Sequence, residues 1–130
     1  MKDDWWKFAE PDAIDLGQPG IYEWTIVGVC RYVGKAKRLK TRIRHYPNNV
    51  RKLGDGRAYR KGDPTGFRAI HRELHQGRET GNAILVGVLE TCDACELIAR
   101  ERHWINVRRA EEAKGGLRLL NSETRRRPSK

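Results

Sequence analysis

A pair of tyrosines, a run of basic residues and one carboxylate are the residues of this chain best suited to chemistry. Tyr22 and Tyr32 lie in two segments of β type. Between Lys35 and Arg72 the chain has 13 Lys or Arg residues against two Asp, a formal charge of +11. A surface of that charge favours phosphate binding, although a solvated helix face is the ordinary alternative. Together with the two tyrosines and one inward carboxylate, the basic surface suggests phosphodiester chemistry on a metal ion.

The carboxylate is Glu101, on a helix predicted over residues 93–109. It lies in the middle of an apolar face that includes Leu97, Ile98 and Ile105. Because burying an unpaired carboxylate is expensive, Glu101 must pair with a basic side chain, be protonated or bind a cation. A buried salt bridge and a metal site both remain open at this point. A lone carboxylate completed by water and phosphate oxygens suits Mg²⁺ better than Zn²⁺.

The three cysteines form no obvious metal site or disulfide framework. Cys92 and Cys95 make a single CxxC pair, whereas a zinc site needs about four ligands. Only the distant Cys30 or His103 could complete such a site. An odd number of cysteines without an export signal favours reduced thiols.

The elements that position these residues follow from the apolar pattern. Alternating residues over 21–26 and 29–33, with Gly28 between them, predict a β-hairpin. An odd-numbered connecting loop would place Tyr22 and Tyr32 opposite each other on one face, and a two-residue turn would not. Apolar positions 36, 39, 43 and 46 predict a helix, with one flank made of Lys35, Arg38, Arg42 and His45.

The rest of the chain predicts a small α+β fold. Residues 47–66 read as a long loop, and Phe67, Ile70 and Leu74 mark a short helix. Residues 82–90 predict a central strand, and Asp93 with Glu96 forms a capping box before the third helix. The order β-β-α-α-β-α, with a last packed segment at 117–121, indicates helices flanking a mainly antiparallel sheet of three strands.

Charge and hydropathy also predict the domain organisation. Residues 1–19 are an acidic lead-in whose Trp5, Trp6 and Phe8 pack on the domain, residues 20–121 form the domain, and 122–130 are a basic, disordered tail. The formal net charge of the whole chain is +10. The apolar runs are too short to span a membrane, and the start lacks a signal peptide. We therefore expect a cytoplasmic protein with no membrane association.

Several of these residues resemble a known family. Gly20-Ile21-Tyr22 and the block from Tyr32 to Lys37, followed by Leu39 and Arg42, resemble the GIY-YIG nuclease superfamily. The second block is especially similar to the nuclease domain at the start of the bacterial repair excinuclease. Glu101 with Ile105 resembles the metal-binding Glu of the family, and Leu120-Asn121 resembles its closing Asn.

The resemblance implies a GIY-YIG-like fold and a Mg²⁺-dependent endonuclease, with Mn²⁺ as a substitute ion. Tyr22 and Tyr32 would orient or deprotonate the attacking water, and Lys35 beside Tyr32 would ease that proton transfer. Arg42 would hold the scissile phosphate, and His45 would assist proton transfer or bind phosphate. Glu101 would carry the metal. Asn121 would support the site, although Asn82 and Asn106 are alternatives for its position.

DNA is the expected partner, and its form stays open between branched, damaged and single-stranded substrates. Specificity would come from the 47–66 loop, the basic tail or a protein partner. A catalytically inactive nucleic-acid-binding module and an accessory subunit of the same fold are the alternative functions. The residues expected to bind DNA around the site are Lys37, Arg38, Arg44, Arg51, Lys52, Arg57, Arg60 and Lys61.

Overall fold

The protein has an α+β fold built on one mixed sheet, seen in a computed structural model that describes residues 4–9 and 15–121. The strands are β1 (Lys7–Phe8), β2 (Gly20–Ile26), β3 (Cys30–Ala36), β4 (Ile84–Thr91) and β5 (Arg118–Leu119). Their order in the sheet is β1-β4-β2-β3-β5. β2 pairs antiparallel with both β3 and β4, whereas β1 and β5 add parallel to the two sides.

The sheet therefore differs from the predicted one. The antiparallel strands β2, β3 and β4 are those expected from the sequence, but the prediction of three strands was wrong because the sheet has five. The added strands have only two residues each. A two-residue strand shows no alternation, so hydrophobic periodicity cannot reveal it.

The hairpin turn sets the register of the two tyrosines. Ile26 pairs with Cys30 across the three residues Val27, Gly28 and Val29, and Gly28 has a φ of 81° that favours glycine. The loop is odd-numbered, yet the tyrosines are not opposite each other: Tyr22 pairs with Gly34, and Tyr32 pairs with Trp24. They share one face at a diagonal, because the turn is centred on residue 28 rather than midway between them.

Alternating side chains of the sheet divide the core into two parts. Tyr22, Trp24 and Tyr32 belong to the larger cluster, which packs against α1 (Leu39–Gly54) and α2 (Ala69–Thr80). Ile21 and Val33 belong to the smaller cluster, which packs against α3 (Leu97–Ala113). Because successive residues of a strand point to opposite faces, α3 covers the face away from the tyrosines.

The first helix is longer than the sequence predicts. α1 continues through Pro47 to Gly54, so the predicted 47–66 loop was wrong from residue 47 to residue 54, and the connection to α2 begins at Asp55. The apolar stripe continues to Val50, which is fully buried. α3 begins at Leu97 after a short 3₁₀ turn, Ala94–Glu96, in which Asp93 N–H donates to Glu96 as the capping box predicts.

The ends of the chain are described in part. Trp5, Trp6 and Phe8 pack against the larger core, and the Trp6 ring lies 5.5 Å from that of Trp24. The predicted basic tail, residues 122–130, lies outside the described residues. Across the part of the chain that is described, no helix has the length and apolar character needed to cross a membrane.

Candidate active site

Three tyrosine hydroxyls meet beneath α1 and form the centre of the candidate site. The hydroxyls of Tyr22 and Tyr46 lie 2.5 Å apart in a buried hydrogen bond. The Tyr46 ring also packs beside the Tyr32 ring at a centroid distance of 6.3 Å, so Tyr46 contacts both tyrosines of the sheet. β2 and β3 supply Tyr22 and Tyr32, and α1 supplies Tyr46 from its buried stripe.

A guanidinium stands at each end of this tyrosine network. Arg42, one turn before Tyr46 on α1, lies near Tyr22, and its charge opposes the rise that burial causes in the pKa of Tyr22. Arg68, at the start of α2, donates from Nη2 to the hydroxyl of Tyr32. The three tyrosines are thus flanked by Arg42 and Arg68. Two cations flank a group of neutral oxygens, an arrangement suited to a negatively charged ligand.

A glycine on β3 makes room for Tyr22. Gly34 pairs directly with Tyr22, and a Cβ at Gly34 would lie 2.7 Å from Cε1 of the ring and closer still to its hydroxyl. No real Cβ approaches ring atoms so closely without displacing them. Gly34, which belongs to the Tyr32–Lys37 block, therefore leaves the space that the Tyr22 side chain occupies.

Burial keeps the tyrosines protonated. It raises the pKa of Tyr22 to about 12, and the nearby hydroxyl of Tyr32 adds to the rise. The pKa of Tyr32 and that of Tyr46 are raised further, again mainly by burial. At pH 7 roughly one Tyr22 in 10⁵ is ionised. The hydroxyls therefore serve as neutral hydrogen-bonding groups.

His71 lies behind the network and is also neutral. Its ring is 5.5 Å from that of Tyr46, and its Nδ1 accepts a hydrogen bond of 3.0 Å from the backbone N–H of Arg68. Burial lowers the pKa of His71 to about 4, and the charges of Arg68, Arg42 and Arg72 lower it in the same direction. A cation-rich environment surrounds this imidazole.

Glu101 lies on α3 and pairs with Lys35. The Lys35 ammonium is 3.6 Å from Oε1 of Glu101, whose side chain is 18% exposed. The pKa of Tyr32 is raised first by burial, then by Tyr46 and by the Glu101 charge, whereas the Arg68 charge lowers it. Of its predicted apolar neighbours, Leu97 and Ile105 are buried, but Ile98 is 64% exposed. The apolar face of α3 is thus narrower than predicted, and Glu101 lies at its border.

The Glu101 carboxylate fits one position of a Mg²⁺ site. It is a hard oxygen ligand that solvent reaches, and Mg²⁺ commonly takes one or two carboxylates and keeps several waters. Within residues 4–9 and 15–121 no group of three or more His, Cys, Asp or Glu side chains is placed to hold a metal ion. A Mg²⁺ bound to Glu101 would therefore complete its coordination with water and phosphate oxygens.

Three hollows of the surface converge on His45, and two of them also include Arg42. A groove of about 530 Å³ runs along β3 and α1 and includes Lys35, Arg42 and His45. A wider depression of about 860 Å³ continues it along α1 past Arg38 and Arg44. A smaller cavity of about 210 Å³ lies between α1 and α2 and also includes Arg42 and His45. The exposed His45 is thus at the junction of all three.

The structure divides the predicted DNA-binding residues into two groups. Lys37, Arg38, Arg44 and Arg60 line one or more of these hollows. The other predicted residues, Arg51, Lys52, Arg57 and Lys61, line none of the three. Lys52 instead donates to the backbone carbonyl of Tyr59, and Arg57 pairs with Asp55 at 3.8 Å.

Asn121 contacts the backbone of β3. Its Oδ1 accepts from Val33 N–H at 2.7 Å, and its Nδ2 donates to Val33 C=O at 2.8 Å. The side chain is buried together with Leu120. Asn121 therefore holds the strand that carries Tyr32, whereas Asn106 is exposed on α3.

Sequence reasoning does not identify Tyr46, Arg68 or His71 as site residues. The apolar pattern places Tyr46 in the stripe of the first helix, where it does lie, but its hydroxyl gives no signal. Arg68 is one of many basic residues. The spacing of Arg68 and His71, three residues apart at a helix start, is the only local signal that could have linked them.

The chemistry of the site must be judged from its own geometry. No family model, curated protein or solved structure matches this chain. The described residues combine four groups. Two guanidiniums, Arg42 and Arg68, supply positive charge beside the neutral tyrosine hydroxyls. The His45 imidazole is exposed, and the Glu101 carboxylate lies beside Lys35.

Proposed function

We propose that the protein is a Mg²⁺-dependent endonuclease of the GIY-YIG type that hydrolyses phosphodiester bonds in DNA. The observation that carries this proposal is the cluster of Tyr22, Tyr46 and Tyr32, flanked by Arg68 and by Arg42, which lines the basic groove. A phosphate in the groove would meet Arg42, and a water beside it would meet the tyrosine hydroxyls.

In this mechanism the tyrosines orient the attacking water, since their raised pKa values keep them protonated. His45 accepts the proton of that water, because imidazole is the usual general base at neutral pH and His45 adjoins Arg42. Arg42 stabilises the negative charge that develops on the phosphate. Glu101 would hold Mg²⁺, and the bound ion would supply Lewis acid catalysis. The oxygen that leaves phosphorus takes its proton from solvent.

A second candidate function is nucleic-acid binding without cleavage. It is favoured by the burial of the hydroxyl-bearing side chains, since Tyr22 is 1% exposed and Tyr32 is 5% exposed. A module that only binds phosphate needs the arginines and lysines but not Glu101. The two functions therefore differ in what the Glu101 carboxylate does.

The test is the nicking of supercoiled plasmid DNA with Mg²⁺ or with EDTA. We expect nicking only with Mg²⁺, and we expect Arg42→Ala to slow it about 10²–10³-fold, the usual cost of losing one group that stabilises transition-state charge. Glu101→Gln should abolish nicking while DNA binding persists. Matched controls are Arg78→Ala and Glu79→Gln at the exposed end of α2, which should nick like the wild type.

Equal nicking by the wild type, Arg42→Ala and Glu101→Gln would overturn the assignment of the site. Intact binding without nicking of supercoiled, branched, damaged or single-stranded DNA would favour the binding module. For the assignment of the base, His45→Gln should lower the rate and change its dependence on pH. An unchanged pH profile in that variant would rule out His45 as proton acceptor.

A further inference from the structure

The small cavity between α1 and α2 is built mainly from residues that the proposed mechanism does not use. Its volume is about 210 Å³, the space of roughly seven liquid waters. Arg42 and His45 form the side shared with the groove, and Arg60, Arg68, Tyr59 and His71 form the interior. No acidic residue is among its lining residues, so the cavity is polar and cationic throughout.

Among the described residues, no carboxylate neutralises the positive charge of Arg42 and Arg68 in the cavity. Within the described part of the chain, neither Arg42 nor Arg68 forms an ion pair with a carboxylate. The two guanidiniums act on each other as like charges, and Arg68 is half-buried. A half-buried cation without a counter-ion raises the free energy of the folded protein, and a bound anion would offset that increase.

The wall of the cavity is held by the backbone of residues 55–68. Tyr59 N–H donates to Pro64 C=O at 3.0 Å, and Lys52 Nζ donates to Tyr59 C=O at 3.2 Å. The Tyr59 ring packs against Phe67 and His71 at centroid distances of 5.2 and 5.8 Å. The Arg60 guanidinium lies 4.7 Å above the Tyr59 ring. Arg60 and Arg68 are thus placed on a packed surface.

We propose that this cavity is a subsite for a second phosphate of the nucleic-acid strand, held by Arg60 and Arg68 next to the phosphate bound by Arg42. The proposal rests on the proposed function in that it takes the ligand to be a polynucleotide. A phosphate group is small enough for the cavity, carries negative charge, and accepts the forked hydrogen bonds that guanidinium groups donate. A free phosphate has the same chemistry, and the experiment separates the two sources.

The test measures binding of single-stranded oligothymidylate in EDTA by fluorescence anisotropy over a range of salt concentrations. Every register of this homopolymer is equivalent. We expect Arg60→Ala and Arg68→Gln each to reduce the slope of log K against log salt by about 0.7, the value for one lost phosphate contact on a single strand. Arg78→Ala, outside the cavity, should leave the slope unchanged. Thermal melting shows whether each variant folds. If Arg68→Gln does not fold, Arg60→Ala alone tests the proposal, because Arg60 is exposed.

A second measurement follows the ring protons of His71 by NMR while inorganic phosphate is added. We expect phosphate to shift them in the wild type and not in Arg60→Ala, and to displace the oligonucleotide. Wild-type slopes in both cavity variants would overturn the subsite. A phosphate effect on His71 with unchanged oligonucleotide slopes would identify a free-phosphate site and overturn the assignment to the strand.

Cleavage is measured separately, so the two proposals fail in different ways. A protein that shows the expected slopes but never nicks DNA retains the subsite and loses the nuclease. A protein that nicks DNA but has the same slope in Arg60→Ala, Arg68→Gln and the wild type retains the nuclease and loses the subsite.

Discussion

At the scale of single residues, burial determines the chemical state of the candidate site more than neighbours in sequence do. The hydroxyl of Tyr46 illustrates this, because it comes from a helix position that only the apolar stripe would identify. Burial places it 2.5 Å from the Tyr22 hydroxyl and raises its pKa. A residue that fills the core therefore also contacts both tyrosines of the sheet.

We predict that Tyr46→Phe lowers the free energy of unfolding by about 1–2 kcal/mol. The substitution removes the buried hydrogen bond between the Tyr46 and Tyr22 hydroxyls and leaves the Tyr22 hydroxyl buried without that partner. Urea denaturation measures the change. Tyr59→Phe is the control, since the Tyr59 hydroxyl accepts only a long bond of 3.4 Å from exposed Arg60, and its effect should stay within about 0.5 kcal/mol. Equal effects of the two substitutions would contradict the buried network.

His71 predicts a pH dependence of stability. Its pKa is about 4 in the folded protein, below the ordinary value of 6.5, so the unfolded chain takes up a proton first as the pH falls. The stabilisation is therefore complete above pH 6.5 and is lost as the pH falls towards 4. From pH 7 to pH 5 the free energy of unfolding of the wild type should fall, and in His71→Gln we expect this fall to be smaller by about 1–2 kcal/mol. A His71→Gln curve parallel to the wild-type curve would refute the prediction.

At the scale of elements, β3 depends on a side chain from the end of the described chain. Both hydrogen bonds of Asn121 go to Val33, whose backbone groups are buried between α3 and β5. The same strand carries Tyr32 and Gly34. The contact therefore connects the last packed segment of the chain to the position of the tyrosine network.

We predict that Asn121→Ala lowers the free energy of unfolding by about 2–3 kcal/mol. It leaves a buried backbone N–H and C=O without partners, and such groups cost more than an average hydrogen bond contributes. The matched control is Asn106→Ala at an exposed position of α3, which should change stability by less than about 0.5 kcal/mol. Denaturant unfolding of both variants tests the difference, and a loss of less than about 1 kcal/mol in Asn121→Ala would show that water replaces the contact.

Elements with a repeating pattern were predictable, and those without one were not. β2, β3 and β4 alternate or run apolar over seven or eight residues, and the structure has them near the predicted bounds. Pro47 indicated a helix end because proline lacks an N–H and crowds the preceding turn. The stripe of Leu39, Ile43, Tyr46 and Val50 shows why α1 continues, since burying Val50 requires the helix beyond Pro47.

The same distinction applies to the site. Tyr22, Tyr32 and Arg42 lie within motif blocks of one continuous stretch, and the structure brings them together. Arg68 and His71 reach the site only because α2 packs against α1, a long-range contact that no local spacing encodes. The register of the tyrosines depends on where the turn is centred, which the alternation alone does not determine.

At the scale of the whole molecule, the distribution of charge matters more than its total. Basic side chains of α1 and of the link that precedes it surround the groove and the wider depression, including Lys37, Arg38 and Arg44. α3 reaches the groove through Leu97 and through Glu101, which pairs with Lys35. Its exposed basic residues Arg102 and Arg109 line neither the groove nor the depression, so a ligand bound at the site should contact the first group and not these two.

We therefore predict that charge reversal at the groove impairs DNA binding far more than the same reversal on α3. Replacing Lys37, Arg38 and Arg44 by Glu should reduce the slope of log K against log salt for duplex DNA by about 2.7, or 0.9 for each lost phosphate contact. Replacing Arg102, Arg109 and Lys114 by Glu gives the same net charge and should leave the slope near that of the wild type. Anisotropy titrations at several salt concentrations measure both. Equal losses in the two variants would mean that total charge alone drives binding, because screened contacts beyond about 10 Å cannot otherwise act from the far face.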